Sequence, residues 1–364
     1  MPTLILITGF PGFLGSALLP RLLARRPRVK ALCVVPQRHM LAARQRRRDI
    51  EATQEHTRGR IELVEGDITQ PQLDLDAATL KRLRNVTEVW HLAAVYDLAV
   101  PPEVAWRVNV DGTTHVLQLC GELPKLTRLQ YVSTCYVSGS HDGEFAEDAL
   151  EEGQELRNHY EATKHEAEVR VRKAMADGLP ATIYRPGIVV GDSRTGETQK
   201  YDGPYFLATF LRRQLGPLAV VPALGDPDRV RVSLVPRDFV VDAMDALSVL
   251  ETSEGRTYAL TDPAPPTVRE LVDTFARDLG KRVVWVPLPL TLTRGVVGLP
   301  GVERLMGLPA EALEYFASPT TYSTTHTLTD LSGSGVTCPP FESYAGRLLD
   351  YMRAHPEIDA KAMA

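Results

Sequence analysis

The chain has few cysteines and no long apolar run, and each shortage excludes a class of protein. Its four cysteines among 364 residues are scattered, with no CxxC pair. This pattern argues against a disulfide framework and favours a reducing, cytoplasmic compartment. No stretch reaches about 18 uninterrupted apolar residues, so a membrane-spanning helix is not expected. The apolar start "MPTLILITGF" lacks a preceding positive charge and is soon broken by Gly and Pro, unlike a signal peptide.

An excess of positive charge is also missing. The chain has 41 Lys and Arg against 46 Asp and Glu, for a net charge of −5, so no nucleic-acid partner is expected. His141, His159 and His165 do not form HExxH or another ligand spacing, and no catalytic metal is predicted. A content of 44% hydrophobic and 24% charged residues is that of an ordinary globular chain with one large or two unequal domains.

Strand-like apolar segments alternate with helical patterns over the first half of the chain. These segments lie at 3–7, 29–35, 61–67, 87–94, 128–134 and 181–190. The alternation predicts an α/β fold with a Rossmann-type, doubly wound parallel sheet covered on both faces. We expect this nucleotide-binding domain to span residues 1–190, with return segments around 229–262. Residues 191–364 are expected to form mainly a smaller, mixed α/β substrate-binding part and C-terminal helices.

Three glycines separate the first predicted strand from a helix in "ITGFPGFLGSALL" (7–19). Glycine lets the backbone approach a pyrophosphate closely, and a helix N-terminus offers free N–H groups and partial positive charge. Strand, GxxGxxG spacing and helix agree, so the segment is predicted to bind a dinucleotide. The predicted loop consists of Gly9, Phe10, Pro11, Gly12, Phe13, Leu14 and Gly15.

The end of the second strand favours NADP(H) over NAD(H). An NAD site usually ends this strand with an acidic residue for the ribose 2′-hydroxyl, but "ALCVVPQRH" has none. Arg38 follows instead, and "RQRRR" occupies 44–48. Arginine suits a 2′-phosphate through bidentate, charge-assisted bonds. Arg38 is the predicted phosphate ligand, whereas a solvated helix face also explains the run at 44–48.

Eight motifs resemble the extended short-chain dehydrogenase/reductases, the superfamily of NAD-dependent epimerases and dehydratases. The motifs are "TGFPGFLG" (8–15), "GDIT" (66–69), "HLAA" (91–94), "VNVDGT" (108–113), "YVSTCYVSG" (131–139), "YEATK" (160–164), "YRPGIVVG" (184–191) and "VPRDFVVDA" (235–243). They follow the family order. "YVSTCYV", the loop "GDSRTGETQKYDGPYFL" and "VPRDFVVDA" are most similar to the fatty acyl-CoA reductase and thioester reductase (male-sterility-type) branch.

The resemblance implies a catalytic trio of Thr134, Tyr160 and Lys164, with Thr134 in place of the usual serine. Residues four apart share a helix face, so Tyr160 and Lys164 are expected to look toward the cofactor. A tyrosine pKa of about 10 is high for a proton donor, and a nearby ammonium would lower that pKa. Lys164 would also bond the nicotinamide ribose, and Tyr160 would protonate the substrate oxygen. Taken alone, the Tyr–Lys pair is also explained by a charged helix face.

The resemblance implies further contacts. The implied cofactor residues are Asp67 and Ile68 by the adenine, Ala93 and Ala94 along the cofactor path, Asn109 beside the active site, and Pro186 and Ile188 near the nicotinamide carboxamide. The substrate candidates are Ser133, Tyr136, Lys200 and Tyr201. Cys135 adjoins Thr134, but no general base lies nearby in sequence, so it is predicted to be a packed core thiol.

We therefore expect an NADPH-dependent oxidoreductase that reduces the carbonyl of an apolar substrate, either a fatty aldehyde or an acyl thioester of CoA or a carrier protein. Apolar segments at 204–211, 287–309 and 311–322 suit a substrate tunnel, although an ordinary core with an irregular cap also explains them. Three alternatives stay open: a hydroxysteroid- or flavonol-type alcohol dehydrogenase, a sugar-nucleotide epimerase or dehydratase, and a non-catalytic NADP-binding sensor. Peripheral membrane contact through 290–308 and a homodimer through the Tyr–Lys helix also stay open.

Overall fold

The described part of the chain is built on strands that are apolar along most of their length. The computed structural model describes residues 3–97, 100–223, 226–287 and 318–358. Its strands are β1 (Thr3–Thr8), β2 (Val29–Val35), β3 (Ile61–Glu65), β4 (Val86–His91), β5 (Arg128–Val132), β6 (Gly143–Phe145), β7 (Ala181–Pro186), β8 (Ile188–Val190), β9 (Leu218–Ala223), β10 (Leu234–Pro236), β11 (Thr257–Leu260), β12 (Arg282–Pro287) and β13 (Thr320–Tyr322).

Seven of these strands form one parallel sheet. Its order is β3-β2-β1-β4-β5-β7-β11, and every neighbouring pair is parallel. A parallel sheet covered on both faces needs near-continuous apolar strands, and "TLILIT" and "VKALCVV" have that composition. The order reverses direction beside β1, as in a doubly wound nucleotide-binding sheet. The predicted fold class is confirmed.

Helices cover both faces of the sheet and also form the C-terminal part. They are α1 (Phe13–Arg25), α2 (Met40–Thr53), α3 (Ala77–Leu83), α4 (Pro102–Trp106), α5 (Gly112–Glu122), α6 (His159–Ala176), α7 (Pro204–Arg213), α8 (Arg237–Ser248), α9 (Val268–Asp278), α10 (Thr325–Leu331) and α11 (Ala345–Ala354). Alternate residues of a strand face opposite sides. Ile5 and Ile7 accordingly pack in one core with α1 and α8, whereas Leu4 and Leu6 pack in the other with α5 and α6.

A separate apolar core joins α7, α9 and α11 in the C-terminal part. Leu211, Phe275 and Leu348 are fully buried in it. The segment predicted as one strand at 181–190 is instead two strands, because β7 pairs with β5 and β11 in the main sheet whereas β8 pairs with β10. β11 and α8 lie with the main sheet, and the domain boundary at residue 190 stays a prediction.

Part of the predicted apolar lid lies outside the described residues. The segment proposed for membrane contact at 290–308 falls there entirely, as does most of the apolar stretch at 287–309. Across the ranges that the structure describes, no helix combines the length and the apolar composition needed to cross a bilayer.

Candidate active site

Several of the predicted site residues lie at the carboxyl edge of the sheet. The glycine loop follows β1, Ala93 follows β4, and Thr134 follows β5. Because β1, β4 and β5 are parallel neighbours, their C-terminal ends lie along the same edge. The sheet order reverses beside β1, and this switch point is where doubly wound sheets bind ligands.

The glycine loop follows a path that side chains would block. Gly9 has φ +89°, and a Cβ there would lie 2.7 Å from the amide nitrogen of Ala93. A Cβ on Gly12 or Gly15 would lie 2.8 or 2.7 Å from the carbonyl oxygen of Gly9. Gly12 precedes α1 and provides no side-chain cap for that helix. The first N–H groups of α1 are therefore left for another acceptor, and this cradle fits a pyrophosphate.

Tyr160 and Thr134 form a hydroxyl pair. The side chain of Asn158 accepts a 3.0 Å hydrogen bond from the backbone N–H of Glu161, which caps α6 and fixes Tyr160 in its first turn. Burial raises the pKa of Tyr160 to about 12, and a side-chain hydrogen bond with Thr134 opposes this shift. Thr134 has extended backbone after β5, and its hydroxyl also accepts a 3.3 Å hydrogen bond from the Tyr136 N–H. The two hydroxyls therefore lie within hydrogen-bonding reach of each other at the end of β5.

Lys164 lies one helical turn beyond Tyr160 and is buried. Its Nζ donates to the Val132 carbonyl at 2.9 Å and to the Tyr131 hydroxyl at 3.1 Å. Burial lowers the pKa of Lys164 to about 8. The structure differs here from the expected Lys–Tyr interaction, since the ammonium bonds strand β5 and Thr134 is the principal group that lowers the pKa of Tyr160.

Asn109 connects the segment after β4 to α6. It lies in a π-helical turn, Arg107–Asp111, between α4 and α5, and such turns are frequent at functional sites. Its side-chain amide accepts from the Val95 N–H and donates to the Val95 carbonyl, both at 2.8 Å. It also donates to the Thr163 hydroxyl at 3.0 Å. The buried amide therefore fixes residues 93–97 against the helix that carries Tyr160.

Ser133 does not join the hydroxyl pair. Its Oγ donates to Glu168 Oε2 at 2.6 Å. Glu168 is buried and also binds Arg185 at 2.6 Å and Arg172 at 3.0 Å. Ser133 is thus bonded to a buried ion pair, on the opposite side of the strand end from Thr134, and the structure does not support it as a substrate candidate.

The remaining predicted cofactor residues lie at or just beyond strand ends. Arg38 follows β2, Asp67 and Ile68 follow β3, Ala94 follows Ala93 after β4, Pro186 ends β7, and Ile188 begins β8. Arg38 is exposed, and its Nε lies 3.2 Å from Nε2 of His39. Asp67 accepts a 2.9 Å hydrogen bond from the Thr69 N–H.

The other three substrate candidates, Tyr136, Lys200 and Tyr201, lie in different surroundings. Tyr201 packs in the C-terminal core, and its hydroxyl donates to the His355 carbonyl at 2.9 Å, so it does not join the site. Tyr136 is buried directly after Thr134. Lys200 lies against the segment after β4, because its Nζ is 3.8 Å from the ring centroid of Tyr96. Nothing in the sequence indicates Tyr96, since the partner of a loop lysine depends on how two distant loops fold.

Cys135 is a packed thiol beside the site. Its Sγ donates to the Arg185 carbonyl at 2.9 Å, and burial raises the pKa of the thiol. Raising the pKa suppresses the thiolate that a nucleophile needs. Within residues 3–97, 100–223, 226–287 and 318–358, no three His, Cys, Asp or Glu side chains form a group that could hold a metal ion.

Comparisons with known proteins show which families and structures this chain resembles. The NAD-binding family described as Male sterility protein matches residues 7–244. A component of the linear gramicidin synthase of Brevibacillus parabrevis is 30% identical over 278 residues, 73% of this chain and 5% of that protein. Isonitrile lipopeptide synthase of Streptomyces coeruleorubidus is 28% identical over 395 residues, 99% of this chain and 26% of that protein. The chain therefore corresponds to a small share of each synthase.

A solved structure extends the match to the whole fold. The terminal R domain from the myxalamid PKS-NRPS biosynthetic pathway superimposes with a TM-score of 0.81 at 28% identity. The superposition covers 99% of this chain and 93% of that one. The chain belongs to the Male sterility protein family and is an oxidoreductase of the extended short-chain dehydrogenase/reductase type.

Proposed function

We propose that the chain uses NADPH to reduce an apolar acyl thioester, carried by CoA or a carrier protein, to an aldehyde. The main support is the Thr134–Tyr160 hydroxyl pair, which lies on the same sheet edge as the glycine cradle. The similarity to a lipopeptide synthase and to a terminal R domain favours a thioester over a sugar nucleotide.

Some residues of the chain hold the cofactor, and others act on the substrate oxygen. The glycine loop and the N-terminus of α1 hold the pyrophosphate, Lys164 bonds the nicotinamide ribose, and Arg38 bonds the 2′-phosphate. Reduced nicotinamide, when bound, supplies the hydride. Thr134 donates a hydrogen bond to the thioester oxygen, and Tyr160 transfers its phenolic proton to that oxygen.

The bond changes balance without another reactant. Hydride adds to the thioester carbon, and the proton from Tyr160 adds to oxygen, which gives a hemithioacetal. The carbon–sulfur bond then breaks as the hydroxyl proton passes to the sulfur, which leaves as a thiol, and Tyr160 regains its proton from water. The net reaction consumes one hydride and one proton and yields one aldehyde and one thiol. Burial raises the pKa of Tyr160 to about 12, so the phenol holds its proton at neutral pH until hydride addition creates a basic oxyanion beside it.

The test is an assay of NADPH consumption. Purified protein is given NADPH and, in parallel, a long-chain acyl-CoA, the same acyl group as a thioester on a carrier protein, the matching fatty aldehyde and a steroid ketone. We expect loss of reduced-nicotinamide absorbance with acyl-CoA and release of one thiol per NADPH in the first reduction. Turnover with only the aldehyde or ketone would reject thioester reduction and keep the hydroxyl pair in its role. A lack of turnover with every carbonyl compound would reject the proposal.

Arg38 is expected to set the preference for NADPH. Arg38→Gln should weaken NADPH binding by about ten- to a hundredfold, because a charge-assisted hydrogen bond contributes about 1.5–3 kcal/mol. NADH binding should change by less than about twofold, since NADH has no 2′-phosphate. Titration of nicotinamide fluorescence measures both affinities. Arg44→Gln, an exposed arginine of α2, is the matched control. An equal loss for both cofactors would contradict the assignment.

A further inference from the structure

A lysine contact joins the loop after β8 to the segment after β4. Nζ of Lys200 lies 3.8 Å from the ring centroid of Tyr96 and forms an ion pair with Asp202. The lysine side chain is only 15% exposed. A cation over an aromatic face is stabilised by the ring, and more strongly where water is excluded. Lys200, Asp202 and Tyr96 are called the clasp below.

The loop that carries Lys200 and Asp202, residues 191–203, is anchored at both ends. Asp238, in the first turn of α8, accepts from the N–H of Ser193 at 2.8 Å and from its hydroxyl at 2.6 Å. At the other end, Tyr201 is bonded to the carbonyl of His355 at 2.9 Å. The loop therefore has little freedom to withdraw Lys200, and the clasp ties the C-terminal part to the sheet edge.

The other side of the clasp leads to the proton donor. Val95, next to Tyr96, is held at both its N–H and its carbonyl by Asn109. Asn109 donates to the hydroxyl of Thr163, which donates to the carbonyl of Tyr160 at 3.1 Å. A chain of direct contacts thus runs from the clasp to the first turn of α6.

We propose that Lys200 is a positioning residue for carbonyl reduction. By holding the Tyr96 ring it fixes the segment after β4, which Asn109 ties to the helix that carries Tyr160, and so keeps Tyr160 in line with Thr134. This role rests on the proposed function and adds to it a residue from the C-terminal part. Lys200 acts through Tyr96, because its ammonium is already engaged by the ring and by Asp202.

A double-mutant cycle tests this role. Lys200→Met removes the cation, and Tyr96→Leu removes the ring. Each should lower kcat for acyl-CoA by about tenfold, which corresponds to a loss of about 1.4 kcal/mol from a desolvated cation–π contact. The double variant should lose about the same factor as either single variant, because both remove one shared contact. The Kd for NADPH should stay unchanged, because the glycine loop is not part of the clasp.

Conservative variants separate the contact from general loop stability. Tyr96→Phe keeps the ring and Lys200→Arg keeps a cation that stacks on aromatic faces, so both should recover most of the rate. An equal loss in Tyr96→Phe and Tyr96→Leu would show that the hydroxyl, not the clasp, is responsible. A loss of about a hundredfold in the double variant, as the product of two independent effects, would overturn the proposal, and so would normal kcat in Lys200→Met.

The proposal and the proposed function fail in different ways. Normal kcat in the clasp variants, with acyl-CoA turnover by the unmodified protein, rejects the clasp alone. If the unmodified protein turns over no carbonyl compound, the proposed function fails, and hydrogen–deuterium exchange then tests the clasp without turnover. Lys200→Met should increase exchange within residues 93–97 and 191–203. Unchanged protection in both segments would overturn the clasp.

Discussion

Replacing Tyr160 by phenylalanine is expected to lower kcat for acyl-CoA by about a thousandfold, since a positioned general acid contributes about 10²–10⁴-fold. The substitution removes only the hydroxyl that donates the proton. Thr134 keeps its contact with the Tyr136 N–H, and Lys164 keeps its bonds to Tyr131 and Val132, none of which involves Tyr160. NADPH affinity should therefore change by less than about twofold. Absorbance assays give kcat, and nicotinamide fluorescence gives the Kd.

Tyr351→Phe is the matched control for this substitution. It also removes one phenolic hydroxyl, but Tyr351 lies on α11 and its ring packs against His355 at 4.2 Å between centroids. Turnover should stay within about twofold of the unmodified protein, in the range of ordinary substitutions away from a site. If Tyr160→Phe kept more than a tenth of the unmodified kcat while Tyr351→Phe kept all of it, another group would have to supply the proton.

The sheet and the cofactor loop could be predicted because local patterns determine both. Runs such as "TLILIT" specify buried strands. The path of the cofactor loop leaves no room for a side chain at positions 9, 12 and 15, so glycine is needed there. The four-residue spacing of Tyr160 and Lys164 correctly predicts that both lie on one helix. It does not predict the partners of the Lys164 ammonium, because Tyr131 and Val132 lie on strand β5, far from Lys164 in sequence.

Contacts between distant loops account for most of what the sequence could not predict. Lys200 and Tyr201 are adjacent in a loop, yet Lys200 contacts Tyr96 after β4 and Tyr201 packs in the C-terminal core. Neither spacing nor composition separates them, since a loop has no fixed period that assigns its side chains to a face. Strand alternation ranks Ser133 below Thr134, and the bond of Ser133 to Glu168 agrees with that order.

Replacing Arg185 by methionine is expected to lower the free energy of unfolding by about 3–5 kcal/mol, because it leaves a buried carboxylate short of its main partner. Arg185 is 2% and Glu168 0% exposed at the side chain. Arg185 also donates to the carbonyls of Glu147 at 3.2 Å and Ala149 at 2.7 Å. Urea denaturation followed by tryptophan fluorescence measures the change.

Arg170→Met is the matched control, because Arg170 also pairs with a glutamate of α6. Arg170 pairs with Glu166 at 3.0 Å on α6, but the two side chains are 33% and 37% exposed. A pair this exposed contributes about 0–1 kcal/mol. The double variant Arg185→Met/Glu168→Gln should recover part of the lost stability, since the uncompensated charge is then gone. A loss in Arg185→Met no larger than in Arg170→Met would contradict the assigned role of the buried pair.

The same substitution should change the dependence of stability on pH. Burial alone would raise the pKa of Glu168, but the charge of Arg185 and the hydrogen bonds around it lower that pKa below its ordinary value of 4.5. The ion pair therefore contributes fully above about pH 4.5 and is lost as pH falls through the lowered pKa. The difference between the unmodified protein and Arg185→Met should be larger at pH 7 than at pH 4, because a protonated Glu168 no longer needs the guanidinium. Equal differences at both pH values would assign the loss to packing and to the two carbonyl hydrogen bonds instead of to charge.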